Sequence, residues 1–505
     1  MDFYEFRSEM ETLQQQGKIK QSIFILLQNF IQNPHVIGCL DLLANAYRLD
    51  GQNEMAIKCW NVLNKCIPSE PQGFNSIAVT QFDCQDLINA FINYEKALAN
   101  LQQGSNSEGK GWSCNTVPPE EMDSTIGQIE LNASFICFWG RNYKRGWELW
   151  ESGFAGKQRS PDRQIADVCF KNPSVSCIKE QNNFVKFLTP EDLLEPEILR
   201  DKTILVYREQ GLGDEYLFAS CFNDLIPYCK KVILEVDPRC IELFQESFPQ
   251  CLVREPQTNE NNEELEQIKD YEYCIPAATL GALFRTTPES FPKENLFIKP
   301  KKEVINYFKN KLLELPQDPE GSRLNVGIVW RSTNITPDRY AQYTSLKMWE
   351  PIFQVKGINW INIQYMYLDE ELQKTEERFG IKIHNFSELD LTNNQHGLAA
   401  LIFCLDLVIG CNNATTCLTN AVGTPLFQLS RQGEPFSMGF PLTSNKQSNL
   451  SCDYQTKFGL SQCDYPWFPT TKFMFRKKWN ETWDEPIKQT AKALTQLKGN
   501  PNKVW

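Results

Sequence analysis

Pro34 and Pro68 stand 34 residues apart, and the same offset relates Ala44 to Ala78, Ala56 to Ala90, Trp60 to Tyr94 and Leu63 to Ala97. A recurrence of this length marks a supersecondary unit that cannot bury its apolar face alone and must stack on its neighbours. Small residues suit the close approach of the two helices of a hairpin, aromatics fill the groove between hairpins, and the prolines stop each second helix. A weaker first copy extends back through Met10, Ser22 and Leu26. The spacing therefore predicts stacked helical hairpins over residues 1–102.

This is the tetratricopeptide pattern. Such arrays offer a surface to peptides or partner proteins, and a short one serves equally as a buttress or a dimer contact. The polar, Gly/Ser-rich stretch from Gln102 to Trp112 has linker composition. An amphipathic stretch from Ile129 to Phe154, carrying Trp147 and Trp150, reads as a further helical pair. Residues 103–200 are accordingly read as linker and additional helices.

The chain's 505 residues exceed one ordinary core. With 41% hydrophobic and 23% charged residues it has the composition of a folded protein. A formal net charge of −12 argues against nucleic-acid binding and against docking on anionic lipid. No run of about 18 apolar residues predicts a membrane span, and the acidic N-terminus lacks the apolar core of a secretory signal. A cytoplasmic location is expected. The 18 cysteines are scattered, several within apolar runs (Cys39, Cys137, Cys221, Cys404), and form no C-x-x-C pair. They read as buried reduced thiols. The only histidines are His35, His384 and His396, so neither a histidine triad nor a His-rich metal site is expected.

From about Lys202 the periodicity changes. Apolar runs at 203–207, 232–236 and 271–275 alternate with helical patterns, and a second such series follows at 324–330, 360–364, 405–410 and 425–429. Alternation of this kind predicts parallel, doubly wound sheets. The fold class expected is α followed by α/β: helical repeats, then an N-terminal Rossmann-like domain over 201–315 and a C-terminal one over 316–505. Pro316 to Arg323 reads as the hinge, and ligands would bind beyond the strands' carboxyl ends.

Three segments could carry chemistry. Glu209-Gln210-Gly211-Leu212-Gly213-Asp214 lies on a strand-to-helix turn, where glycines allow close backbone approach and a helix N-terminus favours an anion. Asp214 is placed to take a proton from an acceptor hydroxyl, or simply to cap its helix. Tyr216 stands where a dinucleotide fingerprint would have its third glycine, which weakens a nicotinamide-dependent reading. Asn412-Asn413-Ala414-Thr415-Thr416 follows a strand and opens a helix; its amides suit a diphosphate, or a plain N-cap. Arg331 lies just past a strand, where it would neutralise phosphate or form a surface ion pair, and Gln364 is similarly placed. Aromatic clusters at Tyr465 to Pro469 and Phe475 to Trp479 read as packing more readily than as sugar platforms.

These pieces occur in the order seen in bacterial proteins that fuse tetratricopeptide repeats to a domain similar to the ADP-heptose lipopolysaccharide heptosyltransferases, glycosyltransferase family 9. Gly140 to Glu151 resembles that family's G-x-x-x-x-G-W-x-x-Y/W-E segment, and Glu209 to Asp214 matches its E-Q-G-x-G-D motif. Val326 to Trp330, Leu405 to Ile409, the run Leu418 to Pro425 with Ala421 and Gly423, and Pro466 to Pro469 also fit. The resemblance implies a GT-B fold and inverting, metal-independent transfer of a sugar from a nucleotide-sugar donor, without another cofactor. Asp214 would be the general base. Glu209, Gln210, Gly211 and Gly213 would form the acceptor-side loop. Arg331, Gln364, Asn412, Asn413, Ala414, Thr415 and Thr416 would hold the donor. The acceptor implied is a protein, such as a flagellin, or a glycan, positioned by the repeats. Three departures stand out: Asn412 replaces the family's acidic residue, Cys417 its histidine, and Tyr340 to Ser345 lacks an arginine. They imply either a different donor or a degenerate body in a scaffold whose repeats carry the function.

Overall fold

The computed structural model describes residues 3–34, 36, 38–84, 86–106, 122–139, 142–153, 186–187, 199–257, 270–292, 296–316, 323–332, 343–431, 467, 470–476 and 482–499. They fall into two compact units.

The first unit is helical. Its helices are α1 (Phe3–Gln15), α2 (Ile19–Gln32), α3 (Gly38–Leu49), α4 (Asn53–Cys66), α5 (Pro71–Asp83), α6 (Leu87–Asn106) and α7 (Met122–Trp139), of which the first six pair in sequence as hairpins. The register residues behave as their chemistry requires: Ala44, Ala56, Ala78, Ala90 and Ala97 are fully buried, as are Met10, Ser22 and Leu26 of the first copy. Trp60 fills the space between helices and donates its indole N–H to Asp41 Oδ1 at 2.8 Å. The tight turns inside the first two hairpins need a left-handed residue, supplied by Gly17 (φ 76°) and Gly51 (φ 77°). These two also keep the repeat spacing; the third equivalent, Gln85, lies outside the described residues. Helix α6 runs on to Asn106, and the remainder of the Gln102–Trp112 segment is outside the described residues. Trp150 packs edge-on to Phe135 with ring centroids 5.7 Å apart.

The second unit holds two parallel sheets. The first contains β1 (Lys186–Phe187), β2 (Thr203–Tyr207), β3 (Lys231–Glu235), β4 (Leu252–Arg254) and β5 (Tyr273–Pro276), in the order β1-β5-β2-β3-β4. The second contains β6 (Leu324–Val329), β7 (Ile358–Asn362), β8 (Ile383–His384), β9 (Leu407–Cys411), β10 (Leu426–Arg431) and β11 (Thr471–Arg476), in the order β11-β10-β9-β6-β7-β8. Read from β6, this is the 3-2-1-4-5-6 order of a Rossmann sheet. Each sheet reverses its winding once, between β2 and β5 and between β6 and β9. Those reversals open a crevice at the strands' carboxyl ends, because successive crossovers leave on opposite faces.

Two strands differ from expectation for identifiable reasons. The strand expected over 360–364 is Ile358–Asn362. Its Asn359 is buried yet satisfied, donating to Asn325 Oδ1 and to the Pro316 carbonyl, a compensation that hydropathy does not register. The segment leading into Phe475 to Trp479 is an edge strand, Thr471–Arg476, whose Lys and Arg interrupt the apolar pattern, as edge strands commonly do. Of Tyr465 to Pro469 only Trp467 is described; it is buried edge-on to Phe291 at 4.9 Å, a packing role. Most of the Pro316–Arg323 hinge and the first half of Tyr340–Ser345 lie outside the described residues.

The segment resembling G-x-x-x-x-G-W-x-x-Y/W-E includes helix α8 (Tyr143–Glu151). Its buried Trp147 lies on Gly281, in the helix after β5, and donates its indole N–H to the Arg285 carbonyl at 2.9 Å. A Cβ at position 281 would fall 2.2 Å from the indole. Gly281→Ala must therefore displace Trp147, and the expected loss is about 1–3 kcal/mol of stability from overpacking, read as a lowered midpoint in chemical denaturation.

Candidate functional site

The candidate segments follow the carboxyl ends of strands, of which β2, β6 and β9 border the two reversals and β7 lies one strand away. β2 leads to Glu209–Asp214, β6 to Arg331, β7 to Gln364 and β9 to Asn412–Thr416. After β2 the chain turns sharply: Glu209 is buried, Gln210 takes a left-handed φ of 61°, and Gly211 is the N-cap of α9 (Leu212–Phe218). A left-handed conformation in a non-glycine residue is strained and persists only where its surroundings enforce it. Asp214 is the third residue of that helix, and its Oδ2 accepts the Gly211 N–H at 3.0 Å. The capping role is thus the one seen for this carboxylate.

In the second half, Asn413 is the N-cap of the helix Ala414–Ala421. Its Oδ1 accepts the Thr416 N–H at 3.1 Å, while Thr416 Oγ1 accepts the Asn413 N–H at 3.0 Å. This reciprocal cap engages those two amides and places the Ala414 and Thr415 amides at the helix end. Asn413 Nδ2 also donates to the Arg331 carbonyl at 3.2 Å, tying the loop after β9 to the loop after β6. Asn412 is half-buried beside them.

Gln364 is fully buried and serves the backbone: its Oε1 accepts the N–H groups of Trp330 and Arg331, both at 3.0 Å, and its Nε2 donates to the Tyr365 carbonyl at 2.8 Å. It fixes where Arg331 leaves β6. The Arg331 guanidinium pairs with Glu371 at 3.1 Å, and the second Glu371 oxygen takes the Trp330 indole N–H at 3.0 Å.

The two sides meet at Gly213. A Cβ there would stand 3.4 Å from Ala414 Cα and 3.3 Å from Cys417 Sγ. Helix α9 and the helix Ala414–Ala421 pack together at this point. Cys417, where the resembled family has histidine, is a thiol pushed up to about 12 by burial and by the Asp214 charge, so it stays protonated at neutral pH. Gln364, Arg331, Asn413, Ala414 and Gly213 therefore form one chain of neighbours, with Asp214 at its end.

Sequence reasoning missed a layer of charge behind the Asp214 turn. Glu215 is buried, its Oε1 on Arg208 Nε at 2.6 Å and its Oε2 accepting the Asp237 N–H at 2.9 Å. It pins the ends of β2 and β3 to the first turn of α9. No sequence signal marks these partners, since adjacency across parallel strands is a tertiary fact.

A helical N-terminal region followed by two Rossmann-like domains that meet through the loops at their carboxyl edges is the GT-B class of architecture. The chain matches no family model. It is 27% identical over 462 residues to Protein FlbA of Caulobacter vibrioides, covering 88% of this chain and 68% of that protein. Among solved structures it is similar to the ADP-heptose lipopolysaccharide heptosyltransferase II of E. coli (TM-score 0.37, 10% identity, 60% of this chain and 100% of that one). It is also similar to a family 9 glycosyl transferase from Veillonella parvula (TM-score 0.36, 11% identity, 61% and 90%). An O-GlcNAc transferase of Thermobaculum terrenum aligns along 99% of this chain and 90% of its own, with a TM-score of 0.29 and 9% identity. With overlaps this loose, none of them assigns a role to a residue of this chain.

Burial pushes the Glu215 carboxyl up to about 7 despite the opposing pull of Arg208 and the Asp237 amide. A carboxyl whose folded value exceeds its ordinary one near 4.5 stabilises the fold below that ordinary value, and the contribution is lost as pH rises through about 7. Glu215→Gln cannot ionise. Its melting temperature relative to the parent is expected to climb from about pH 5 to about pH 8, the underlying change being about 3 kcal/mol. A constant difference across that range would show that Glu215 does not titrate there.

Proposed function

We propose that the chain is an inverting glycosyltransferase that moves a sugar from a nucleotide-sugar donor to a hydroxyl of a protein or glycan. The observation that supports this reading is the contact of Gly213 with Ala414 and Cys417, where a carboxylate-bearing turn of the first half packs against a helix N-terminus of the second. A proton acceptor and an anion-stabilising dipole on either side of one crevice are what direct displacement at an anomeric carbon requires.

In this scheme Arg331 and the segment Asn412 to Thr416 hold the donor diphosphate, with the Ala414 and Thr415 amides directed at it. Gln364 acts through the backbone it anchors. Glu209, Gln210 and Gly211 shape the acceptor side. The acceptor oxygen attacks the anomeric carbon from the face opposite the diphosphate. The new C–O bond forms as the old one breaks, Asp214 takes the hydroxyl proton, and the nucleoside diphosphate departs with its charge stabilised by the helix end and Arg331. No metal has a part in it. The repeats, read as tetratricopeptide hairpins, present the acceptor. The reaction would take place in the cytoplasm, where nucleotide-sugars are the available donors.

One observation favours a second reading. At the contact itself a protonated thiol, Cys417, replaces the family's histidine, as a degenerate body in a repeat-based scaffold would allow. Asp214→Asn is expected to abolish sugar transfer, followed as nucleoside diphosphate release with a panel of donors, while the donor-induced rise in melting temperature persists. Unchanged turnover would remove the role from Asp214. No thermal shift with any nucleotide at millimolar concentration would favour the scaffold.

A further inference from the structure

Glu215 and Tyr216, the two residues after Asp214, begin and end one closed circuit of hydrogen bonds. From Glu215 Oε2 it passes to the Asp237 N–H at 2.9 Å. The Asp237 carboxylate then holds Arg239 through Nε and Nη2, each at 2.8 Å. Arg239 Nη1 donates to the Thr392 carbonyl at 3.3 Å, crossing from the first Rossmann-like half to the second. The same carbonyl accepts Gln395 Nε2 at 2.9 Å. Gln395 Oε1 accepts the Tyr216 hydroxyl at 2.8 Å, returning the circuit to α9. Tyr216 and Gln395 are both buried, so neither group has water as an alternative partner. The next residue, His396, makes a parallel crossing: its Nε2 accepts the Lys301 N–H at 2.9 Å, and its Nδ1 lies 3.3 Å from Glu242.

We propose that Tyr216 and Gln395 are positioning residues, which make the seating of the Gly211–Asp214 turn depend on where the donor-side half lies. This rests on the transferase reading for its consequence, but not for its geometry. What tyrosine supplies at position 216 is a hydroxyl that reaches the other half, which a glycine there could not do. Because the circuit is anchored at both ends on adjacent residues of α9, breaking the Tyr216–Gln395 link removes one of its two ties to the second half, leaving the arm through Arg239 and the contact at Gly213, and takes no group from the crevice. A coupled pair gains or loses its effect jointly, which additive packing does not.

The test uses the full chain with Tyr216→Phe, Gln395→Leu and the double variant. Tyr216→Phe orphans the buried Gln395 oxygen, so it is expected to melt lower, and amide exchange over residues 212–218 to quicken about fivefold, the factor set by one neutral hydrogen bond. Transfer kcat should fall by about the same factor, with nucleotide affinity within about twofold of the parent. In the double variant two apolar groups face each other, so the melting temperature should recover. Fast exchange and reduced kcat should remain. Recovery of exchange and kcat together with stability would overturn the proposal and leave a packing role only. If the parent transfers no sugar from any donor, the transferase reading fails by itself, and the exchange measurement still decides the coupling.

Discussion

A methylene's width separates the two halves of this site. The turn after β2 and the helix after β9 approach so closely at Gly213 that even a Cβ would touch both Ala414 and Cys417. Asp214 is one residue beyond the contact, and Ala414, at the contact, opens the helix that Asn413 caps. Parallel sheets make such a meeting possible, since crossovers return every strand in the same direction and collect all carboxyl ends on one edge.

A meeting of loops needs buried polar support, because loop backbones carry amides that no strand neighbour satisfies. Two side chains show how it is supplied. Gln364 spends its amide entirely on the backbone where β6 and β7 end. Glu215 does the equivalent for β2 and β3, at the cost of a carboxylate buried deeply enough to hold its proton near neutral pH. The same burial makes this support sensitive to rising pH, since its contribution is lost as Glu215 ionises through about 7.

Much of this was legible in one dimension. The repeat spacing located the hairpins because identical packing problems recur at equal intervals, and Ala44, Ala78, Trp60 and Tyr94 all proved buried. Alternation of apolar runs located the central strands, whose burial on both faces leaves little choice of residue. Edge strands β1, β4, β8 and β11 escaped notice, being short or carrying charge. The glycine and Asn/Thr segments could be recognised as strand-to-helix turns, but not as neighbours.

By itself, then, the sequence determined which segments would be helix or parallel strand and which turns would lie at carboxyl edges, because those depend on local periodicity and on small residues at fixed offsets. Tertiary structure alone decided that Gly213 should rest on Ala414, that Gln364 should serve Arg331 from beneath, and that Tyr216 should reach Gln395, 179 positions away. Contacts between elements that are distant in the chain leave no periodic trace, since each needs only one matched pair of residues. The pairing is fixed by how the sheets wind and where they reverse.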